Sequence, residues 1–275
     1  MTGTTGETHL AEELERFVKE QASRFGEVIS YVPARLIPTI AQETDSVAVD
    51  TLTATEDMTK KKTTTDEIEI THHGFAELKA KLEPYKNDNW VSATSLSVMQ
   101  EAIEGCQRCP LGQTRNKLVF GVGDPHSKVL IIGEAPGADE DEKGEPFIGR
   151  AGQLLTKMLD AIQFERKDIF ITNILKSRPP NNRDPKPEEV EACEPYLWKQ
   201  ILLINPKLIL CLGRVAGTNL LKNKESLGKM RGNIYDYYGI KVIVTYHPAA
   251  LLRNPDWKHG AWEDLKKFRR MYEEL

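Results

Sequence analysis

From about residue 92 onward, short uninterrupted apolar runs alternate with stretches whose apolar positions recur at helical spacing. The runs at 128–132, 168–172, 207–212 and 241–245 are bounded by turn residues and predict strands buried on both faces. Helical periodicity covers 95–104, 149–163, 187–204, 214–222 and 259–273. The first of these is expected to close on Gly105 as its C-cap. The third opens on Pro187-Glu188-Glu189, residues that suit a helix N-terminus. Strands alternating with helices predict an α/β fold: three α/β/α layers around a central four-stranded, mostly parallel sheet. Residues 235–240 predict a small hairpin ahead of the last strand.

Before residue 91 the pattern is weaker, and it divides the chain into an N-terminal extension, 1–90, and a main domain, 91–275. Leu10, Leu14, Phe17 and Val18 predict a short amphipathic helix over 8–24, and a further helix is expected over 74–84. Residues 41–71, rich in Thr, Asp, Glu and Lys, read as a disordered linker, because so few apolar residues cannot offset the entropy of ordering. The extension carries 10 Lys/Arg against 17 Asp/Glu, leaving 27 against 24 in 91–275. That weakly basic balance permits nucleic-acid binding without arguing for it. No apolar stretch approaches a membrane span, and no basic segment precedes an apolar one at the N-terminus, so a cytoplasmic protein without membrane association is expected. In that reducing compartment the four cysteines read as thiols or metal ligands rather than disulfides.

Three strand ends carry chemistry. After the first comes the glycine- and acid-rich stretch Gly133-Glu134-Ala135-Pro136-Gly137-Ala138-Asp139-Glu140-Asp141, closed by Pro146-Phe147-Ile148-Gly149. After the second come Thr172-Asn173 and Arg178-Pro179-Pro180-Asn181-Asn182-Arg183, and after the last Tyr246-His247-Pro248-Ala249-Ala250-Leu251-Leu252-Arg253. A doubly wound sheet places such loops on one edge, where they can share a pocket. The first loop has neither a GxGxxG nor a GxxxxGK[ST] pattern, so no nucleotide cofactor is expected. The pair His72-His73 has no partner spacing that suggests zinc catalysis.

Gly133-Glu134-Ala135-Pro136-Gly137, Thr172-Asn173-Ile174, Arg178-Pro179-Pro180 with Asn182-Arg183, and His247-Pro248-Ala249 resemble the motifs of the family-four, thermostable-type uracil-DNA glycosylases. The resemblance covers about residues 96–270. It implies a monofunctional DNA-repair hydrolase that flips uracil out of single- or double-stranded DNA and leaves an abasic site. On matching positions it implies that Phe147 stacks on the base, with Gly133, Ala135 and Gly137 around it. Asn173 reads the uracil edge, and His247 stabilises the departing anion. Glu140 is the preferred residue to orient the attacking water, with Asp141 as alternative and Glu134 as a pocket acid of open role. Leu251 is expected to wedge into the vacated stack, and Arg253, Arg178 and Arg183 to hold phosphates.

Cys106-x-x-Cys109 and Cys193 resemble three of the four ligands of that family's 4Fe-4S cluster, and Ser177 stands where the fourth cysteine is usual. Cys211 is the other candidate fourth ligand, although its place in an apolar run suits a buried thiol. The resemblance also implies a monomer whose partner is uracil-containing DNA; no partner for the extension is legible. Two rivals are a non-catalytic uracil- or DNA-binding protein and an interaction module on a degenerate glycosylase fold. Relatives that trap uracil-DNA covalently carry a basic insertion ending in His, and none stands between Lys176 and Asp184.

Overall fold

The four apolar runs fold as four parallel strands in one sheet, with two short antiparallel strands added at its edges. The computed structural model describes residues 73–275; the helix expected at 8–24 and the linker at 41–71 lie outside the described residues. In chain order the regular elements are α1 (His73–Ala80), α2 (Leu96–Ile103), β1 (Val122–Gly123), β2 (Val129–Gly133), α3 (Ala138–Lys143), α4 (Arg150–Asp160), β3 (Phe170–Asn173), α5 (Pro187–Ile204), β4 (Leu208–Leu212), α6 (Arg214–Leu221), α7 (Leu227–Met230), β5 (Tyr235–Tyr237), β6 (Ile240–Thr245), α8 (Pro248–Arg253) and α9 (Lys258–Glu273).

The sheet order is β1-β3-β2-β4-β6-β5, so the expected four strands become six. Strand β5 belongs to the hairpin expected at 235–240 and pairs antiparallel with β6. Strand β1 had no sequence signal, because its two residues lie in a glycine-rich segment and glycine weakens strand patterns. Gly123 is needed there: a Cβ on it would come 1.8 Å from the Ile169 carbonyl oxygen.

Each central strand is buried on both faces, and the pleat divides its side chains between two layers. Leu130 and Ile132 of β2, Ile209 and Cys211 of β4, and Val242 and Val244 of β6 pack in one core with α2, α5 and α6. Leu78, Leu82 and Trp90, from the segment before residue 91, belong to that same core. Val129, Ile131, Leu208, Leu210 and Ile243 are equally buried outside that cluster. The other layer contains α4, α8 and α9, with α8 against α4 and α9 against β6.

Local chemistry sets the helix ends. Ser95 accepts the Val98 N–H and caps α2, whose C-cap is Glu104 in right-handed conformation rather than the expected Gly105. Glu189 accepts the Lys186 N–H at the start of α5, and Asn205 in left-handed conformation ends that helix. The chain passes from β2 to β3 on one side and returns to β4 on the other, so the topological switch falls at the carboxyl end of β2. Gly133 and Asn173, the last residues of β2 and β3, are neighbours across the ladder there.

Candidate active site

A cleft of about 350 Å³ opens on that sheet edge, within the range of small-molecule sites, about 300–1,000 Å³. Glu134, Ala135 and Gly137 enter it from the loop after β2, Phe147 from the next loop, Asn173 from β3, and His247 with Arg253 from the end of β6 and α8. Three loops expected to meet do meet.

Phe147 sits at φ +54°, a left-handed conformation rare for an aromatic residue. Two glycines make room for it. A Cβ on Gly133 would lie 2.5 Å from the Phe147 ring and would collide with Asn173 Oδ1, and one on Gly152 would lie 1.8 Å from the Phe147 carbonyl oxygen. The Phe147 ring stands 5.5 Å from the His247 ring, centroid to centroid. Asn173 is buried, and its Oδ1 has no hydrogen-bond partner. An unpaired buried acceptor costs about 1–3 kcal/mol, which a ligand N–H aimed at it would recover.

His247 is the N-cap of α8, with Pro248 at the first helical position. Its Nδ1 accepts the Ala249 N–H at 3.2 Å, so the ring proton belongs on Nε2. Burial, with Arg253 nearby, pushes the imidazole pKa down to about 4. His247 is therefore a neutral donor across the ordinary pH range.

The acids divide differently from expectation. The preferred residue, Glu140, has both carboxylate oxygens committed to backbone: Oε2 accepts from Gly137 N at 3.0 Å, and Oε1 from Ile148 N and Gly149 N at 3.2 Å. It caps α3 and closes the loop that carries Phe147. Asp141 is buried against Asn116, whose backbone N–H and Nδ2 donate to it at 3.0 and 2.8 Å, and it does not line the cleft. Of the three expected acids, Glu134 and Glu140 line the cleft, and Glu134 is the one with no such commitment. Burial first, and then Asp184, raise its pKa to about 7, against the opposing charge of Arg214.

Two residues expected to contact DNA are already engaged within the protein. Leu251 is 2% exposed, on the helix that packs against α4. Arg183 lines the cleft, but its guanidinium is held by both oxygens of buried Glu189, leaving its fork occupied. Arg253 is exposed at the cleft, and half-buried Arg178 donates from Nε to Asn182 Oδ1 at 2.7 Å.

Two residues had escaped notice. Asp184 lines the cleft and acts on Glu134; it follows directly on the arginine-rich segment. Lys176 is buried beneath Asn173. Its Nζ donates to the Asn173 carbonyl oxygen, Thr172 Oγ1 and Gln200 Oε1, each at 2.7 Å, and burial pushes its pKa down to about 7. The available signal was a lysine directly after the apolar pair Ile174-Leu175.

The cysteines form a separate patch. Cys106 Sγ lies 3.1 Å from the Tyr196 hydroxyl, and buried Cys193 accepts the Lys176 N–H; the Cys106 and Cys109 thiols are close enough to raise the Cys193 pKa, which burial chiefly lifts to about 11. Ser177 Oγ accepts from Arg115, which also holds the Cys106 carbonyl oxygen. Cys211 is buried inside β4, between β2 and β6, and is not among the thiols that act on Cys193. Among the described residues no three His, Cys, Asp or Glu side chains converge on one metal ion. The thiols of Cys106, Cys109 and Cys193 act on one another electrostatically, the proximity that a set of cluster ligands requires, and Ser177 joins the patch through Arg115.

A family model described as the uracil DNA glycosylase superfamily matches residues 120–266. The type-4 uracil-DNA glycosylase of Archaeoglobus fulgidus is 45% identical over 63% of this chain and 91% of its own length. That of Saccharolobus solfataricus is 44% identical over 64% of this chain and 85% of its own, and that of Thermotoga maritima 44% over 62% and 92%. A more distant relative, a type-5 uracil-DNA glycosylase from Pyrobaculum aerophilum, is 29% identical over 47% of this chain and 64% of its own. Matched over more than half its length by the family model, and over most of the length of these type-4 relatives, the chain belongs to the uracil-DNA glycosylase superfamily and groups with its type-4 members.

Proposed function

We propose that this protein is a DNA-repair enzyme that excises uracil from single- and double-stranded DNA by base flipping, hydrolysing the N-glycosidic bond and leaving an abasic site. The observation that carries the reading is the arrangement of Phe147, Asn173 and His247 around one cleft, with His247 held as a neutral Nε2–H donor. A flipped base stacks on Phe147. Its N3–H satisfies the orphaned Oδ1 of Asn173, while the Asn173 amide donates to O4. Cytosine offers an acceptor and a donor in the reverse order and is rejected.

As the glycosidic bond breaks, negative charge gathers on the base, and the His247 Nε2–H donates to O2 where that charge develops. One such preorganised donor contributes on the order of 10²–10³ in rate. Water is assigned as the nucleophile that attacks the anomeric carbon. Glu134 is assigned the task of orienting that water and facing the cationic sugar, because Glu140 and Asp141 are committed elsewhere. Arg253 and Arg178 are assigned to phosphates. Cys106, Cys109, Cys193 and Ser177 Oγ are assigned to a 4Fe-4S cluster that ties α2 and α5 to the loop after β3. Bound there, it supplies structure and no step of the reaction.

The test is uracil release from a labelled single-stranded oligonucleotide, revealed as alkali-labile abasic sites, with a thymine oligonucleotide as control. Release confined to uracil is expected, with His247→Ala slower by about 10²–10³-fold and binding largely retained. Binding without release by folded wild-type protein would favour the non-catalytic reading.

A further inference from the structure

Among the described residues the exposed large apolar side chains are Val98, Ile234, Trp257 and Leu275, far apart in the chain. Trp257 differs from the others in how it is held. It ends the 3-10 turn Pro255–Trp257, which packs on both α8 and α9, and its indole stacks on the Tyr246 ring with centroids 5.0 Å apart and planes 20° from parallel. The Arg231 guanidinium lies 4.0 Å from the centroid of that same Tyr246 ring. Arg231 in turn is anchored by its Nε to Asp264 Oδ2 at 2.7 Å, and the same oxygen accepts from Thr245 Oγ1, the last residue of β6. Gly260 lets the guanidinium lie close against α9, since a Cβ there would come 2.5 Å from it. Arg231 and Trp257 thus both pack on the Tyr246 ring, and Trp257 itself is 41% exposed.

The position of that ring limits what it can meet. Tyr246 adjoins His247 in the chain, and Trp257 follows four residues after Arg253, which is exposed on the cleft and ends the helix the Trp257 turn packs on. A base flipped into the cleft leaves its strand neighbours with an unstacked face, and a single strand offers such faces without any flipping. Base–aromatic stacking needs a rigid ring beside a cation that holds the backbone, and both are present. A protein partner is disfavoured: a stable interface needs roughly 800 Å² a side, and no other large exposed apolar side chain adjoins Trp257 in its element.

We propose that Trp257 is a stacking platform for an unpaired DNA base flanking the target nucleotide. The proposal rests on the glycosylase reading above and extends it to a neighbouring subsite. The subsite is tolerant of sequence, because every base has a π-face.

The test uses the full chain as wild type, Trp257→Ala and Trp257→Phe. Affinity for a uracil-free single-stranded oligonucleotide is measured by fluorescence anisotropy, and KM and kcat are measured on the uracil-containing version. Trp257→Ala is expected to weaken binding and raise KM about tenfold, with the larger part of the loss in KM, and Trp257→Phe to recover most of it. Oligonucleotide binding should also quench tryptophan emission in the wild type more than in Trp257→Phe, whose remaining indoles include the buried Trp90 and Trp262. This second readout stands if the alanine variant fails to fold. Unchanged affinity in Trp257→Ala, equal losses in the alanine and phenylalanine variants, or quenching that persists in Trp257→Phe would overturn the platform. Wild type that releases uracil while both variants match it defeats this inference alone. Wild type that binds and quenches but releases no uracil defeats the catalytic reading alone.

Discussion

Glu134, Glu140 and Asp141 carry the same carboxyl group within one loop, and their neighbours give each a different task. Glu140 accepts backbone N–H groups with both oxygens, Asp141 is taken up by Asn116, and Glu134 faces the cleft with its pKa raised to about 7. A raised carboxyl pKa means the acid is protonated below about pH 7 and charged above it. If its carboxylate orients the water, the excision rate should climb as pH rises through that value. His247 adds nothing to this limb, being neutral above about pH 4. Glu134→Gln should lower the rate and abolish the limb, and a wild-type profile flat between pH 6 and 8 would remove Glu134 from the chemistry. The roles were not legible in the sequence, because they depend on which backbone N–H groups point at which oxygen.

At the scale of elements, α4 begins against Phe147 in a way that reverses an ordinary rule. Glycine inside a helix is normally about 0.5–1 kcal/mol worse than alanine. At Gly152 the added methyl would strike the Phe147 carbonyl oxygen at 1.8 Å, so Gly152→Ala should lower the melting temperature and impair excision. A higher melting temperature in that variant would show that the loop can yield. The start of α5 supplies a second case. Arg183→Ala strands Glu189, a carboxylate that also accepts the Lys186 N–H, and should lower the midpoint of a denaturant titration while leaving the salt dependence of DNA binding nearly unchanged. Arg253→Ala should do the reverse, reducing the slope of log affinity against log salt by about one with little loss of stability. A reduced slope for Arg183→Ala would return that residue to the DNA-binding surface. The arginine motif was visible in the sequence, but the partner of each guanidinium was not.

Across the whole molecule, the cysteine patch joins segments far apart in the chain: Cys106 and Cys109 after α2, Ser177 after β3, and Cys193 in α5. A cluster tying them together should confer stability before it confers rate. Protein purified without oxygen should contain iron and acid-labile sulfide, and Cys109→Ala should lose iron and melt at a lower temperature with only modest change in kcat. Iron-free protein with the wild-type melting temperature would eliminate the cluster.

The order of the four central strands' apolar runs and the loading of three strand ends with chemistry were legible from the chain alone. Uninterrupted apolar runs are what a sheet covered on both faces demands, and parallel strands bring their carboxyl ends to one edge whatever fills the loops. That was enough to gather Phe147, Asn173 and His247. The short helices α3 and α8 inside two of those loops were not legible, and neither was β1, since none carries an apolar period long enough to register. Tertiary structure alone decided which acid stays free, which nitrogen of His247 holds the proton, that Leu251 is core and that Trp257 packs on the Tyr246 ring. The reason is common to all four. Each depends on a contact between parts of the chain brought together only by folding, or on a local hydrogen bond whose geometry the packing around it sets, and periodicity records neither.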